Sequence, residues 1–406
     1  MGKSYTGYTA AIAILCMLSC KPKNNNSSKP LLDDMELKQG EVIVCGSPNK
    51  EFGTVQFVSS CSQQTQKDFD LGIALLHSFE YDEAEKAFTK VVDADPGCAM
   101  AYWGVAMSNF HQVWPSPPTP EELEKGSKAV EKAKAMAQAS GIISDYINTI
   151  AAFYHDYSGK SQRDRILNYA KAMEEMYKKY PADKEVTVFY ALSLVSAADP
   201  SDKTYKNQKK AGEILNSLYP GQPMHPGIVH YIIHAYDSPE LASLALDAAR
   251  KYASIAPSSA HAQHMPSHIF TRLGLWDEAI RSNKDAAESA KCYAEGTGIK
   301  GHWDEELHAI DYLVYSYLQK GDNRMAKQQV DYLQGFTEVH PVNFKVLFAF
   351  AATPSRYYLE NKLWKEAANM PFQANFPWEK FPWQKAIVHF TKSLGFALIG
   401  NTDEAK

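Results

Sequence analysis

The chain has 406 residues, of which 45% are hydrophobic and 22% charged, a balance that fits a folded chain and excludes wholesale disorder. The length admits either two domains or one long solenoid. A net charge of -5, with acids and bases mixed along most segments, leaves no basic stripe, so nucleic acid is excluded as a partner.

At the N-terminus, Lys3 precedes an apolar run from Ala10 to Leu18, and Met17-Leu18-Ser19-Cys20 resembles the lipobox before a lipidated bacterial cysteine. The run is about half the ~20 residues a membrane-spanning helix needs. Residues 1–19 therefore read as a lipoprotein signal peptide and Cys20 as the lipidation site, the alternative being an ordinary signal peptide or short anchor with a chance cysteine. Residues 20–40, which include the polar tract from Lys21 to Pro30, read as a flexible tether. The expected location is the bacterial cell envelope, on the outer membrane, with the domain in the periplasm or on the cell surface and the lipid anchor as the only membrane contact. Cys45, Cys61, Cys98 and Cys292 remain for disulfides in an oxidising compartment, and the sequence leaves their pairing open.

Residues 41–64 predict a small β-hairpin or cap. Glu41 to Val44 and Thr54 to Val58 cluster β-branched residues around Gly46, Pro48 and Gly53. A solenoid needs its first repeat covered, and this segment is placed to do it.

From residue 65 to 406 the periodicity is helical. Leu71-Gly72, Leu75, Ala84, Phe88 and Pro96 match the tetratricopeptide signature, in which a bulky residue stands nine positions before a small alanine. The spacing recurs in Tyr236 with Ala245, Phe270 with Ala279, Tyr317 with Ala326, Tyr358 with Ala367 and Phe396 with Ala405. The expected fold is an all-α, TPR-like α-solenoid of stacked helical hairpins. Val113 to Pro120 is too rich in proline for a helix, and helices are expected at Glu121 to Ala139, Ser144 to Tyr157, Arg163 to Tyr180, Glu185 to Ala197 and Asn207 to Leu218. Cys292 to Gly301 reads as an exposed glycine-rich loop. Phe396 to Lys406 runs through a helix and a turn and stops as the next helix starts, so the repeat domain is expected to be C-terminally incomplete.

Histidine carries the chemistry. Of the 13 histidines, eight fall between His225 and His308. His230 and His234 form an H-x-x-x-H pair that recurs 34 residues later as His264 and His268, a spacing that sets each pair on one helix face and repeats that face in the next hairpin. These four are the candidate ligands of a divalent transition metal such as zinc, in one tetrahedral site or holding two ions. His225, His261, His302, His308, Asp311 and Tyr315 are expected to line the same groove, with Asp311 as outer ligand or second shell. Counting back from Ala326 as from Ala279 places His308, Asp311 and Tyr315 at the positions of His261, His264 and His268.

Two other readings stand beside metal binding: a metal-free groove for a peptide or protein partner, and a hydrogen-bonded network that only fixes helix packing. No H-E-x-x-H supplies a metalloprotease base, and neither a G-x-S-x-G elbow nor a C-x-x-C pair occurs. Pro226 is expected to start its helix and Pro266 to kink one beside the site. Trp103, Trp276, Trp303 and Trp364 read as packing, and Arg272 and Arg356 as arginines able to bind a carboxylate.

Four stretches, Ser60 to Phe88, Asp95 to Ser108, His225 to Asp237 and His261 to Ile280, resemble a bacterial family of exported tetratricopeptide-repeat proteins. The resemblance implies an all-helical repeat fold and carries no reaction or ligand. The expected function is a ligand- or protein-binding scaffold in the cell envelope with a histidine-rich concave site. The alternative is a metal-binding protein or metal-dependent hydrolase.

Overall fold

The computed structural model describes residues 1–3, 34–45, 51–113 and 117–406. The apolar run, Cys20 and most of the tether lie outside the described residues. The rest is an all-α, TPR-like solenoid. Its hairpins are α1 (Gln66–His77) with α2 (Tyr81–Ala94), α3 (Ala99–Ser108) with α4 (Pro120–Met136), and α5 (Ile142–Tyr154) with α6 (Gln162–Lys179). Then come α7 (Lys184–Ser196) with α8 (Lys206–Leu218) and α9 (Pro226–Tyr236) with α10 (Leu246–Ile255). In the next, α11 (Ala260–His264) and α12 (Pro266–Leu273) share one face against α13 (Trp276–Thr297). Last are α14 (Asp304–Gln319) with α15 (Asn323–Gln334), α16 (Phe344–Glu360) with α17 (Trp364–Ala368), and α18 (Pro382–Leu398). No helix among the described residues is long and apolar enough to cross a membrane.

The signature residues act as their sizes require. Ala84, Ala245, Ala279, Ala326 and Ala367 are completely buried, and each lets the second helix of its hairpin close on the first. Gly72 and Gly104 hold Phe88 between them: a Cβ on Gly104 would lie 2.4 Å from the Phe88 ring. Caps set the starts. Thr119 and Glu122 form a capping box before α4, and Ser161, Asp183 and Ser259 cap α6, α7 and α11, each worth about 1 kcal/mol. Pro226 opens α9 as the sequence predicts, whereas Pro266, expected to kink a helix from within, opens α12 after a break at Met265.

The first hairpins wind tightly enough that α9 returns to touch α1. The centre of this winding is filled rather than open: Trp103 meets Phe57, Tyr146 and Phe189 at ring separations of 5.5–5.7 Å. That is why α3 is buried along its whole length. A separate core forms around α14, α15 and α16, and between the two the solenoid opens into a cavity.

The predicted β-hairpin is a correction. Among the described residues, 41–45 and 51–58 form no strand, and the only β pairing joins His302–Trp303 to Val339–His340 in parallel. The segment instead crosses the helices as a strap. Ile43 N donates to Glu83, Ser258 N donates to the Glu51 carbonyl, Thr54 N donates to the Met224 carbonyl, and Gln66 donates to the Phe57 carbonyl. From Thr54 to Val58 the alternation is real, since Val55 and Phe57 are buried and Thr54, Gln56 and Val58 exposed, but the partner is a helical surface.

Disulfides Cys45–Cys292 and Cys61–Cys98 fasten the strap at its two ends. The glycine-rich loop is shorter than predicted: α13 runs through Cys292 and Gly296 and ends at Gly298, whose φ of +72° reverses the chain. Ile43 packs on Gly296, so the strap covers a helix turn that the sequence presents as loop.

Candidate functional site

His230 and His234 project from α9, His261 and His264 from α11, His268 from α12 and His308 from α14. The four-histidine set expected from the repeat spacing does not form one group. It divides two and two, each pair completed by a histidine assigned to the groove. His230, His234 and His261 make one triad and His264, His268 and His308 the other, with the ligand atoms of each triad within 4.8 Å of one another. A whole-repeat shift moves the pair along the solenoid axis as well as onto the same face, which carries the two pairs to neighbouring sites.

In the first triad, His230 donates Nδ1–H to the His77 carbonyl at 2.6 Å. Its Nε2 therefore carries a lone pair and lies 3.1 Å from His234 Nε2 and 3.2 Å from His261 Nε2. Phe79, in a left-handed conformation at φ 57°, sets its ring against all three imidazoles at 4.4–5.6 Å. That turn after α1 also presents the His77 carbonyl to His230.

In the second triad, His264 Nδ1 meets Asn283 Oδ1 at 2.7 Å, and Asn283 commits its amide to the Ala279 carbonyl. His268 Nδ1 meets Asp237 Oδ2 at 2.8 Å, while Arg272 donates to the other carboxylate oxygen at 2.9 Å. Both Nδ1 atoms must carry the proton. Two bare Nε2 lone pairs then face each other at 3.1 Å. This contact is repulsive unless a cation lies between them. Zn–N bonds of 2.0–2.1 Å in a tetrahedron place nitrogens about 3.3 Å apart, close to the His230–His234, His230–His261 and His264–His268 separations of 3.1–3.2 Å.

A proton on His268, opposite Asp237, is the other candidate cation; burial works against one on the remaining five rings. Burial, reinforced by neighbouring imidazoles, pushes His230, His261, His264 and His308 well below the usual imidazole range and His234 down to about 3. These five rings are held neutral, the form that ligates metal. Asp237 is held far below the usual carboxylate range; burial alone would raise it, but His268 and Arg272 outweigh that. A carboxylate behind a ligating imidazole orients the ring and raises its basicity.

Several expected groove residues lie elsewhere. His225 is buried on Glu185, and His302 stacks on Phe336 and bonds Glu306. Asp311 reaches the cavity but is taken by Arg356 at 2.7 Å and Thr353 at 3.0 Å, so the second-shell role falls to Asp237 instead. Tyr315 lines the cavity against Trp276, whereas Tyr312 meets the histidines, its hydroxyl 3.5 Å from His268 Nε2. Three residues, just under one helical turn, separate the two tyrosines, and the break at Met265 shifts the register on which the expectation rests. Arg272 and Arg356 do bind carboxylates, those of Asp237 and Asp311.

Sequence reasoning missed Asp237, Asn283, Phe79 and Tyr312. Only Asp237 carries a local signal, three positions after His234 at the end of the same helix.

A further histidine group is of a different kind. His77 Nε2 and His225 Nε2 meet the two oxygens of Glu185 at 3.0 and 2.8 Å. His77 Nδ1 meets the Tyr231 hydroxyl at 2.8 Å, and His225 Nδ1 accepts from Ile228 N. Every polar atom is satisfied with both rings neutral and Glu185 ionised. Burial works to raise the Glu185 carboxyl, yet His225 and His77 hold it at about 2. The group ties α1, α7 and α9 together as a structural network.

Both triads open on one cavity of about 600 Å³, lined on its inner side by His234, His261, His268 and His308 and on its outer side by Phe344, Phe348 and Trp383. It is of the size of small-molecule sites.

No family model matches the sequence, and no curated protein does. Among solved structures, the chain is similar to a tetratricopeptide repeat protein from Parabacteroides merdae at 12% identity and TM-score 0.41, covering 73% of this chain and 98% of that one. It is also similar to Rap protein complexed with competence and sporulation factor, at 13% identity and TM-score 0.41, covering 84% of this chain and 94% of that one.

Proposed function

We propose that the chain is a metalloprotein that holds two transition-metal ions, one in each histidine triad, on the wall of the cavity. The observation that carries this reading is the pair of bare Nε2 atoms of His264 and His268, 3.1 Å apart with both Nδ1 protons committed elsewhere. Neutral imidazoles without thiolate or carboxylate ligands suit zinc, copper, nickel or iron, and exclude calcium and magnesium, which demand oxygen. Three protein ligands per ion leave a coordination position for water or substrate, and a metal there supplies Lewis acidity and an activated water, as in metal-dependent hydrolases. His230, His234 and His261 would hold one ion and His264, His268 and His308 the other, with Asp237 and Asn283 fixing the ring orientations of the second.

The test is elemental analysis of untagged protein beside a His230→Ala, His264→Ala double variant, both purified without chelator and reloaded with zinc and then copper. Metal in the parent and none in the folded variant is the expected result. A parent that stays metal-free after reloading rejects the reading.

A protein- or peptide-binding role for the scaffold has its own supporting observation. Phe390, Leu398 and Ile399 on or beside α18 are 42–63% exposed and lie outside the lining of the cavity. Phe390→Glu and Leu398→Glu should abolish capture of a partner without loss of metal; unchanged capture would reject that role. Membership of the exported bacterial family and lipidation of Cys20 in the cell envelope belong to this proposal and rest on the sequence stretches alone. Labelling with a radioactive fatty acid should mark the parent and not Cys20→Ser, and equal labelling would remove the anchor.

A further inference from the structure

The cavity is larger than two metal ions require, and its outer wall differs from its inner one. Phe348 and Trp383 stack face to face at 5.6 Å with their planes within 7°, and Trp383 remains 62% exposed at the mouth. Phe344 and Met265 continue the apolar surface inward. The charged residues on the wall are already matched: Arg272 with Asp237, Arg356 with Asp311, and Lys345 with Asp304 and Glu305. Each of these charges is already offset by its partner, so these side chains by themselves favour neither an anionic nor a cationic ligand. A neutral molecule with a flat apolar body breaks none of these pairs.

The inner end selects for a different group. Imidazole nitrogens with lone pairs, or metals bound to them, take a hydroxyl that can donate a hydrogen bond or ligate through oxygen. The chain already places one such group there: the phenol of Tyr312 lies with its hydroxyl 3.5 Å from His268 Nε2 and its ring 4.8 and 5.2 Å from those of His264 and His268. His234 and His261 of the other triad face the same cavity. A phenol entering past Trp383 would lay its ring on the aromatic wall and present its oxygen to the triads as Tyr312 does.

We infer that the cavity binds a small neutral phenol, ring against Phe348 and Trp383 and hydroxyl toward the histidine triads, an inference that rests on the two-metal reading for what the hydroxyl meets. The aromatic wall would hold the ring with or without metal.

Equilibrium binding of 4-methylphenol by calorimetry tests it, with 4-methylanisole and benzoate as comparators and the metal content of the same sample measured. The expected result is saturable binding of 4-methylphenol, about tenfold tighter than either comparator and weakened about tenfold by Trp383→Ala, a substitution at an exposed position that leaves the fold intact. Benzoate binding as tightly as 4-methylphenol, or binding unaffected by both Trp383→Ala and Phe348→Ala, would overturn the inference. So would an absence of saturable binding, whatever the metal content. If two metals are present in that case, the two-metal reading survives alone. If 4-methylphenol binds as expected to protein that holds no metal after reloading, the phenol site stands and the two-metal reading falls.

Discussion

In the tightly wound first hairpins, His77 and His225 turn ring nitrogens onto the two oxygens of Glu185, so that every proton has an acceptor. Further along, His230, His264 and His268 turn Nδ1 outward to a carbonyl, an amide and a carboxylate, and bring bare Nε2 atoms together beside a cavity. Residue type is the same in both regions, and His230, His261 and His264 are buried as His77 and His225 are, while His234, His268 and His308 are partly buried. What separates a structural histidine network from a ligand set is where the single proton of each neutral ring must reside, and that is fixed by the partner of the other nitrogen.

The comparison breaks most visibly at Glu185. Glu185→Ala leaves two buried imidazole N–H groups without acceptors and should cost about 3–5 kcal/mol, read as a fall in the denaturation midpoint. Metal content per folded molecule should not change. A variant that kept its stability but lost metal would reverse the roles assigned to the two regions.

Acid should act next. His77, His230, His234, His261, His264 and His308 all have pKa values pushed below 6.5 by burial, so between that value and their folded values the unfolded chain binds protons that the folded chain refuses. Their contribution is complete above pH 6.5 and declines as pH falls below it. Glu185, held at about 2 against an ordinary 4.5, adds stability that is present above pH 4.5 and lost as pH falls toward 2. Urea midpoints of metal-free protein should therefore drop from pH 6.5 downward. A flat profile between pH 7 and pH 5 would mean that the imidazoles are not held neutral.

The smallest effect sharpens the difference between the triads themselves. Asp237→Asn removes the carboxylate behind His268 and should weaken one metal site about 10–100-fold, leaving the other unchanged. A competition titration against a chelator would resolve the two affinities, and equal weakening of both would show that the triads are not separate.

Much of the fold is legible in the sequence because the bulky residue and alanine spacing states a packing requirement directly. Leu75 with Ala84 and Tyr236 with Ala245 are buried as that spacing demands. The strap was not legible as one, since alternation from Thr54 to Val58 specifies an extended chain with one apolar face but not what that face meets. Six of the histidines in the clusters form the triads, yet their grouping and their outer partners depend on rotation between successive hairpins, which no spacing within the chain records; Pro266 signals the interruption beside the site but not the register that follows it. Asp237 and Asn283 reach their histidines across 31 and 19 residues. His225 lay outside the site for a similar reason: the partner that claims it, Glu185, comes from a helix 40 residues earlier.

The most direct test of the central claim is metal stoichiometry in three untagged proteins reloaded with zinc: the parent, His230→Ala and His264→Ala. Two separate triads predict two ions per chain in the parent and one in each variant. A single ion in the parent that either substitution abolishes would contradict the account, and would mean that the histidines of both triads converge on one shared site.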